Sequence, residues 1–117
     1  MAPPPANVIA LGVTFETERT VLTPSSAANL DQIADMLLAT PSLRAEVAGY
    51  TDNIGAIGRN TRLSRQRAEA VKAYLVRKGV SADRLTVRGY GSANPIAPNT
   101  TATGRAQNRR VELHRLN

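Results

Sequence analysis

The spacing of apolar residues along the chain predicts two long helices separated by short strands. Leu30, Ile33 and Leu37 recur every three or four residues, which is the period of a helix with one buried face. Around Val47 and Val87 the apolar residues instead alternate with polar ones, as in strands. The predicted elements are, in order, a strand at 8–15, a helix at 24–39, a strand at 43–50, a helix that ends at residue 78, a strand at 85–90, a short helical turn at 104–108 and a strand at 110–116.

This order of elements predicts the fold class. Strands joined by helices favour parallel neighbours and right-handed crossovers. We therefore expect an α/β domain (an α+β sandwich) with the order βαβαββ, in which one mixed four-stranded sheet carries the two main helices on one face. Residues 1–7 are rich in proline and are predicted to be a flexible linker, whereas residues 8–117 form the domain.

The second helix has an unusual buried face. At about 100° of rotation per residue, Val71, Leu75, Asn60 and Arg67 lie on one stripe along the helix, with Asn60 and Arg67 nearer its start. A buried arginine is costly unless it is paired. Asp52, on the turn before this helix, is the nearest acidic candidate.

Charge raises nucleic acid as a possible partner. Residues 1–50 carry two basic and five acidic side chains, whereas residues 51–117 carry 13 basic and four acidic ones. Such a basic region is either a solvated face or a nucleic-acid site. The inward phase of Arg67 and the four scattered aromatic residues argue against nucleic acid, because stacking platforms need clustered rings.

The sequence offers no catalytic, metal or cofactor motif. Cysteine is absent, which excludes disulfides and thiolate metal sites. His114 is the only histidine and lies in the last predicted strand, far along the chain from Ser64. The turn containing Gly55 and Gly58 lacks the Lys-Ser/Thr ending of a phosphate-binding loop. We therefore expect a protein that is not an enzyme and has no cofactor.

A binding site is a further possibility. Asp52, Asn60, Arg67 and the run at 108–110 could converge and bind a zwitterion, with the carboxylate of Asp52 on its ammonium group and the guanidinium of Arg67 on its carboxylate. The alternative is a structural ion pair between Asp52 and Arg67, which is the commoner arrangement. The residues alone leave both open.

Five ordered motifs resemble the OmpA-like peptidoglycan-binding domain, shared by OmpA-type outer-membrane proteins, Pal lipoproteins and MotB-type stator proteins. The motifs are Gly-Tyr-Thr-Asp-Asn-Ile-Gly at 49–55, Asn60 with Leu63, Ser64, Arg67 and Ala68, Gly-Tyr-Gly at 89–91, Asn-Pro-Ile-Ala at 94–97 and Asn-Arg-Arg-Val at 108–111. The resemblance implies non-covalent binding of peptidoglycan through meso-diaminopimelate of the stem peptide. It also implies a periplasmic or cell-envelope location and a domain that is not itself inserted in a membrane but belongs to a membrane-anchored parent protein.

The same resemblance implies the residues of the site. They are Asp52, Arg67, Asn60, Arg110, Thr17 and Leu63. Asp52 and Arg67 would bind the ammonium and carboxylate groups of diaminopimelate, and Thr17 and Leu63 would contact the ligand largely through backbone or short polar groups.

Overall fold

The computed structural model describes residues 8–14 and 23–117. Its helices and strands are β1 (Val8–Thr14), α1 (Pro24–Ala39), β2 (Ala45–Gly49), α2 (Ile57–Arg77), β3 (Leu85–Gly89), α3 (Ala102–Asn108) and β4 (Arg110–Arg115), with one 3-10 turn at Ala82–Arg84. The predicted mixed α/β class is confirmed. The described order is βαβαβαβ rather than βαβαββ, because the helical turn expected at 104–108 is a helix of seven residues.

Local sequence explains why α1 and α3 begin where they do. The side chain of Thr23 accepts a hydrogen bond from the backbone N–H of Ser26, and Pro24 occupies the first turn, where its missing N–H costs nothing. Thr101 caps α3 in the same way by accepting from the N–H of Gly104. A side chain at Gly104 would collide with the backbone of Pro98, so the chain can fold tightly here only with glycine.

The four strands form one mixed sheet in the order β1-β4-β2-β3. β2 and β3 are parallel, and β4 runs antiparallel to β1 and to β2. β2 precedes α2 and β3 precedes α3. Because these two strands are parallel, their carboxyl ends lie at the same edge of the sheet. The turn that carries Asp52 follows β2 at that edge.

Both long helices share one hydrophobic core with one face of the sheet. The core residues are Val13, Leu30, Ala34, Leu37, Leu43, Ala45, Val47, Ala68, Val71, Leu75, Val80, Leu85, Val111 and Leu113. Core residues recur at every second position in the strands, as expected for a sheet with one face packed on helices. None of the helices in the described part of the chain has the length and apolar content needed to cross a lipid bilayer.

α2 packs directly against the backbone of two strands. A Cβ atom at Gly49 would overlap the carbonyl oxygen of Ser64, and one at Gly89 would lie 2.6 Å from the backbone nitrogen of Arg65. Glycine at these paired positions of β2 and β3 therefore permits the close approach of the helix. The approach places the first half of α2 beside the turn that contains Asp52.

We expect Leu37→Ala to lower the free energy of unfolding by about 2–5 kcal/mol, because Leu37 is fully buried and its truncation leaves a cavity between α1 and the sheet. Chemical denaturation with urea measures the change. Leu38→Ala is the matched control, since the adjacent leucine is 45% exposed. Equal losses of unfolding free energy in the two variants would show that Leu37 does not lie on the buried face of α1.

Candidate ligand-binding site

A narrow cleft with a cavity volume of about 10 Å³ lies between the turn after β2, the first half of α2 and the start of β4. Its lining residues are Thr51, Asp52, Ile54, Arg59, Asn60, Leu63, Arg67 and Arg109. Among them are three arginines and a single carboxylate. The cleft is therefore electropositive and suits a ligand that carries a carboxylate.

The carboxylate of Asp52 is buried and held in place by hydrogen bonds. The side chain is 4% exposed. Its Oδ1 accepts from the backbone N–H of Ile54 at 3.0 Å, and its Oδ2 forms an ion pair with Nη1 of Arg109 at 2.9 Å. Both oxygens thus have fixed directions, as a preorganised acceptor for a cation requires.

Arg67 is fully buried on the inward face of α2, as the sequence predicted. Its Nη1 donates to the carbonyl oxygen of Tyr50 at 3.4 Å. The pKa of Arg67 is lowered to about 10, chiefly because the side chain is buried and also because of the nearby charge of Arg109, whereas Asp52 acts to raise it. The side chain still carries its charge at neutral pH, so two guanidinium groups repel one another beside one carboxylate.

Asn60 and Leu63 also face the cleft. Asn60 is 3% exposed, and both residues line the cleft from α2. The polar half of the α2 stripe therefore faces the cleft, whereas Val71 and Leu75 face the core. Thr17 lies outside the described residues.

The structure does not bring Arg110 into the cleft. Its guanidinium carbon lies 3.9 Å from the ring centre of Tyr50, its Nε donates to Glu112 at 2.6 Å, and its Nη2 donates to the carbonyl of Asn94 at 2.9 Å. Val111 and Leu113 point into the core, so Arg110 at the start of β4 points to the opposite face.

Arg109 takes the place in the cleft that we expected for Arg110. It precedes the first residue of β4 and is therefore not bound by the alternation of the strand. Its side chain reaches Asp52 and lines the cleft. The alternation of Val111 and Leu113 is visible in the sequence. It indicates that Arg110 faces away from the core, and this signal could have distinguished Arg110 from Arg109.

Asn108 supports this end of the cleft. The side chain is fully buried, and its Oδ1 accepts from the N–H groups of Ile96 and Ala97 at 2.8 and 3.1 Å. Its Nδ2 donates to the carbonyl of Ala97 and to the side chain of Asn99. These bonds tie the loop before α3 to the residue that precedes Arg109.

One charged residue of α2 differs from the expectation of a solvated basic face. Lys72 is half-buried, and its Nζ donates to the carbonyl of Leu85 at 2.8 Å, so it fastens α2 to β3. Arg65 is exposed as expected and pairs with Glu69 one turn further on. Within residues 8–14 and 23–117, no three acidic, histidine or cysteine side chains lie close enough to hold a metal ion.

The chain is a small α/β domain with an electropositive cleft beside the first half of α2. The chain belongs to the OmpA family, whose profile matches residues 14–109.

Relatives and solved structures agree with this assignment. The chain is 46% identical over 101 residues to the probable lipoprotein YiaD of Escherichia coli (strain K12). The aligned region covers 86% of this chain and 46% of that protein. It is also 46% identical over 101 residues to the peptidoglycan-binding protein ArfA of Mycobacterium tuberculosis (strain ATCC 25618 / H37Rv), covering 86% of this chain and 31% of that protein. The chain thus spans less than half the length of either relative.

Among solved structures, the peptidoglycan-associated lipoprotein from Burkholderia pseudomallei superimposes with a TM-score of 0.84 at 30% identity, over 88% of this chain and 87% of that one.

Proposed function

We propose that this domain binds peptidoglycan non-covalently, through the diaminopimelate of the stem peptide, and so anchors a cell-envelope protein to the cell wall. The observation that carries the proposal is the burial of Asp52 and Arg67 in one cleft. Membership of the OmpA family and similarity to ArfA and to a peptidoglycan-associated lipoprotein support the choice of ligand.

The chemistry of the cleft suits the D-centre of meso-diaminopimelate, which carries an ammonium and a carboxylate on one carbon. The ammonium would bind Asp52. The carboxylate would lie between Arg67 and Arg109, where it would offset the repulsion that lowers the pKa of Arg67. Asn60, which can donate and accept, would contact the ligand from the wall of α2.

The proposed role is anchoring and not catalysis. A cleft with three arginines, one aspartate and an asparagine holds ionic groups but offers no activated nucleophile. We place the domain in the periplasm, with its parent protein attached to a membrane. A nucleic-acid site is not favoured, because Arg67 lies inside a narrow cleft and Arg110 packs on the ring of Tyr50, so neither belongs to an external basic surface that could follow a phosphate backbone.

Sedimentation with purified sacculi tests this function. We expect Asp52→Ala to remain in the supernatant while the wild type sediments, because the variant has no carboxylate for the ammonium group. Asp35→Ala removes the same charge from an exposed position of α1 and should sediment like the wild type. Cosedimentation of Asp52→Ala at the wild-type level would contradict the proposed site.

A further inference from the structure

A second, shallower groove runs along α2 beside the cleft. Its volume is about 340 Å³, it is open to solvent, and it is lined by Arg59, Arg62, Leu63 and Gln66. Arg59 and Leu63 line the cleft as well, so the two depressions adjoin. A ligand held in the cleft would therefore have the groove directly beside it.

Arg59 stands at the border between the two depressions. Gly55 has a φ of +97°, and a Cβ atom there would lie 3.0 Å from Nη1 of Arg59. The guanidinium therefore lies against the backbone of the turn that follows Asp52. A residue with a side chain at position 55 would strain the turn and crowd this guanidinium.

The groove presents hydrogen-bond donors on a partly apolar floor. Arg62 and Gln66 are one helical turn apart, so their side chains project over the same stretch of surface. Two guanidinium groups and one amide line the groove, and its lining includes no carboxylate. Leu63, which is half-buried, supplies an apolar surface between them. Planar guanidinium donors beside an alkyl surface suit a carboxylate on a short peptide.

We propose that this groove binds a second carboxylate of the stem peptide, on the residue next to diaminopimelate. The proposal rests on the proposed function, because the cleft must first hold the diaminopimelate. Arg59 and Arg62 contact the carboxylate, and Gln66 donates from the following turn. The domain thereby distinguishes stem peptides in which this carboxylate is free from those in which it is amidated.

Calorimetric titration with two matched peptides tests the proposal. The probes are L-alanyl-γ-D-glutamyl-meso-diaminopimelate and the same tripeptide with the free glutamyl carboxylate amidated. We expect the wild type to bind the carboxylate form about three- to fivefold more tightly than the amide. Arg62→Gln, an exposed substitution that should not disturb folding, reduces this ratio to about one.

Arg65→Gln is the matched control for long-range attraction. It removes an equal charge from the same helix but lies outside the groove, so the ratio should stay at its wild-type value. An unchanged ratio in Arg62→Gln, or an equal fall in Arg65→Gln, would overturn the proposal.

Titration of the wild type with meso-diaminopimelate alone separates the two proposals. Binding of this compound with no preference between the two tripeptides refutes the groove and leaves the cleft intact. Failure to bind it or either tripeptide refutes both.

Discussion

Arg67→Lys should abolish measurable binding of meso-diaminopimelate. Lysine keeps the positive charge but lacks the planar fork that holds a carboxylate by two parallel hydrogen bonds. Its shorter reach from a fully buried position also leaves the ligand carboxylate unsatisfied. Loss of one desolvated charge contact costs about 2–5 kcal/mol, which puts a micromolar site beyond ordinary detection. Calorimetry or NMR titration of the free amino acid measures the effect.

Asp52→Asn is the complementary variant on the other side of the cleft. The amide keeps the shape of the carboxylate but cannot neutralise an ammonium group, so binding should be lost with less damage to folding than in Asp52→Ala. Asp52→Ala also removes the partner of Arg109 and the acceptor for Ile54. Wild-type affinity in both Asp52→Asn and Arg67→Lys would mean that the two charges are structural.

Gly49→Ala should destabilise the domain by more than about 4 kcal/mol, which is exceptional for one methyl group. The added Cβ would overlap the carbonyl oxygen of Ser64. The Cβ is fixed by the backbone of β2 and the oxygen belongs to the backbone of α2, so no side-chain rotation can relieve the overlap. Relief requires α2 to move off the sheet, which opens the core around Val71. Thermal and urea unfolding of the variant measure the loss.

Gly58→Ala provides the matched control for this substitution. Apart from the neighbouring residues and the backbone of its own helix, no atom lies within 4 Å of the position that its Cβ would take, and Gly58 lies within the first turn of α2. Alanine favours helix formation over glycine, so stability should stay the same or rise by up to about 1 kcal/mol. A comparable loss in both variants would contradict the close contact between α2 and β2.

The sequence alone allowed α2 to be oriented correctly. Helical phase depends only on spacing within the helix, so the inward direction of Asn60 and Arg67 followed from Val71 and Leu75 without any knowledge of the sheet. The bounds of α1 were equally accessible, because its cap and its terminating Thr40-Pro41 pair are local signals.

Features that depend on contacts distant in the chain were predicted less well. The alternation of β4 directs Arg110 away from the cleft, but the contact of Arg109 with Asp52 joins residues 57 positions apart in the chain. The helical phase of α2 directs Lys72 away from the buried stripe, but β3 supplies a carbonyl acceptor that the helix sequence does not reveal. The cleft itself joins three segments, so its shape could not be derived from any one of them.

The position of β4 in the sheet has a consequence for folding. β1 and β2 are not neighbours, and β4 lies between them and pairs with both. During synthesis from the N-terminus, β1, β2 and β3 are therefore made before β4, the strand that links β1 to β2. The complete four-stranded sheet can form only after residue 115 has been made. Its pairing of β1 with β4 brings together residues about a hundred positions apart. Folding of this domain should accordingly be slow and cooperative, and β1 should join the sheet only after β4 has been synthesised.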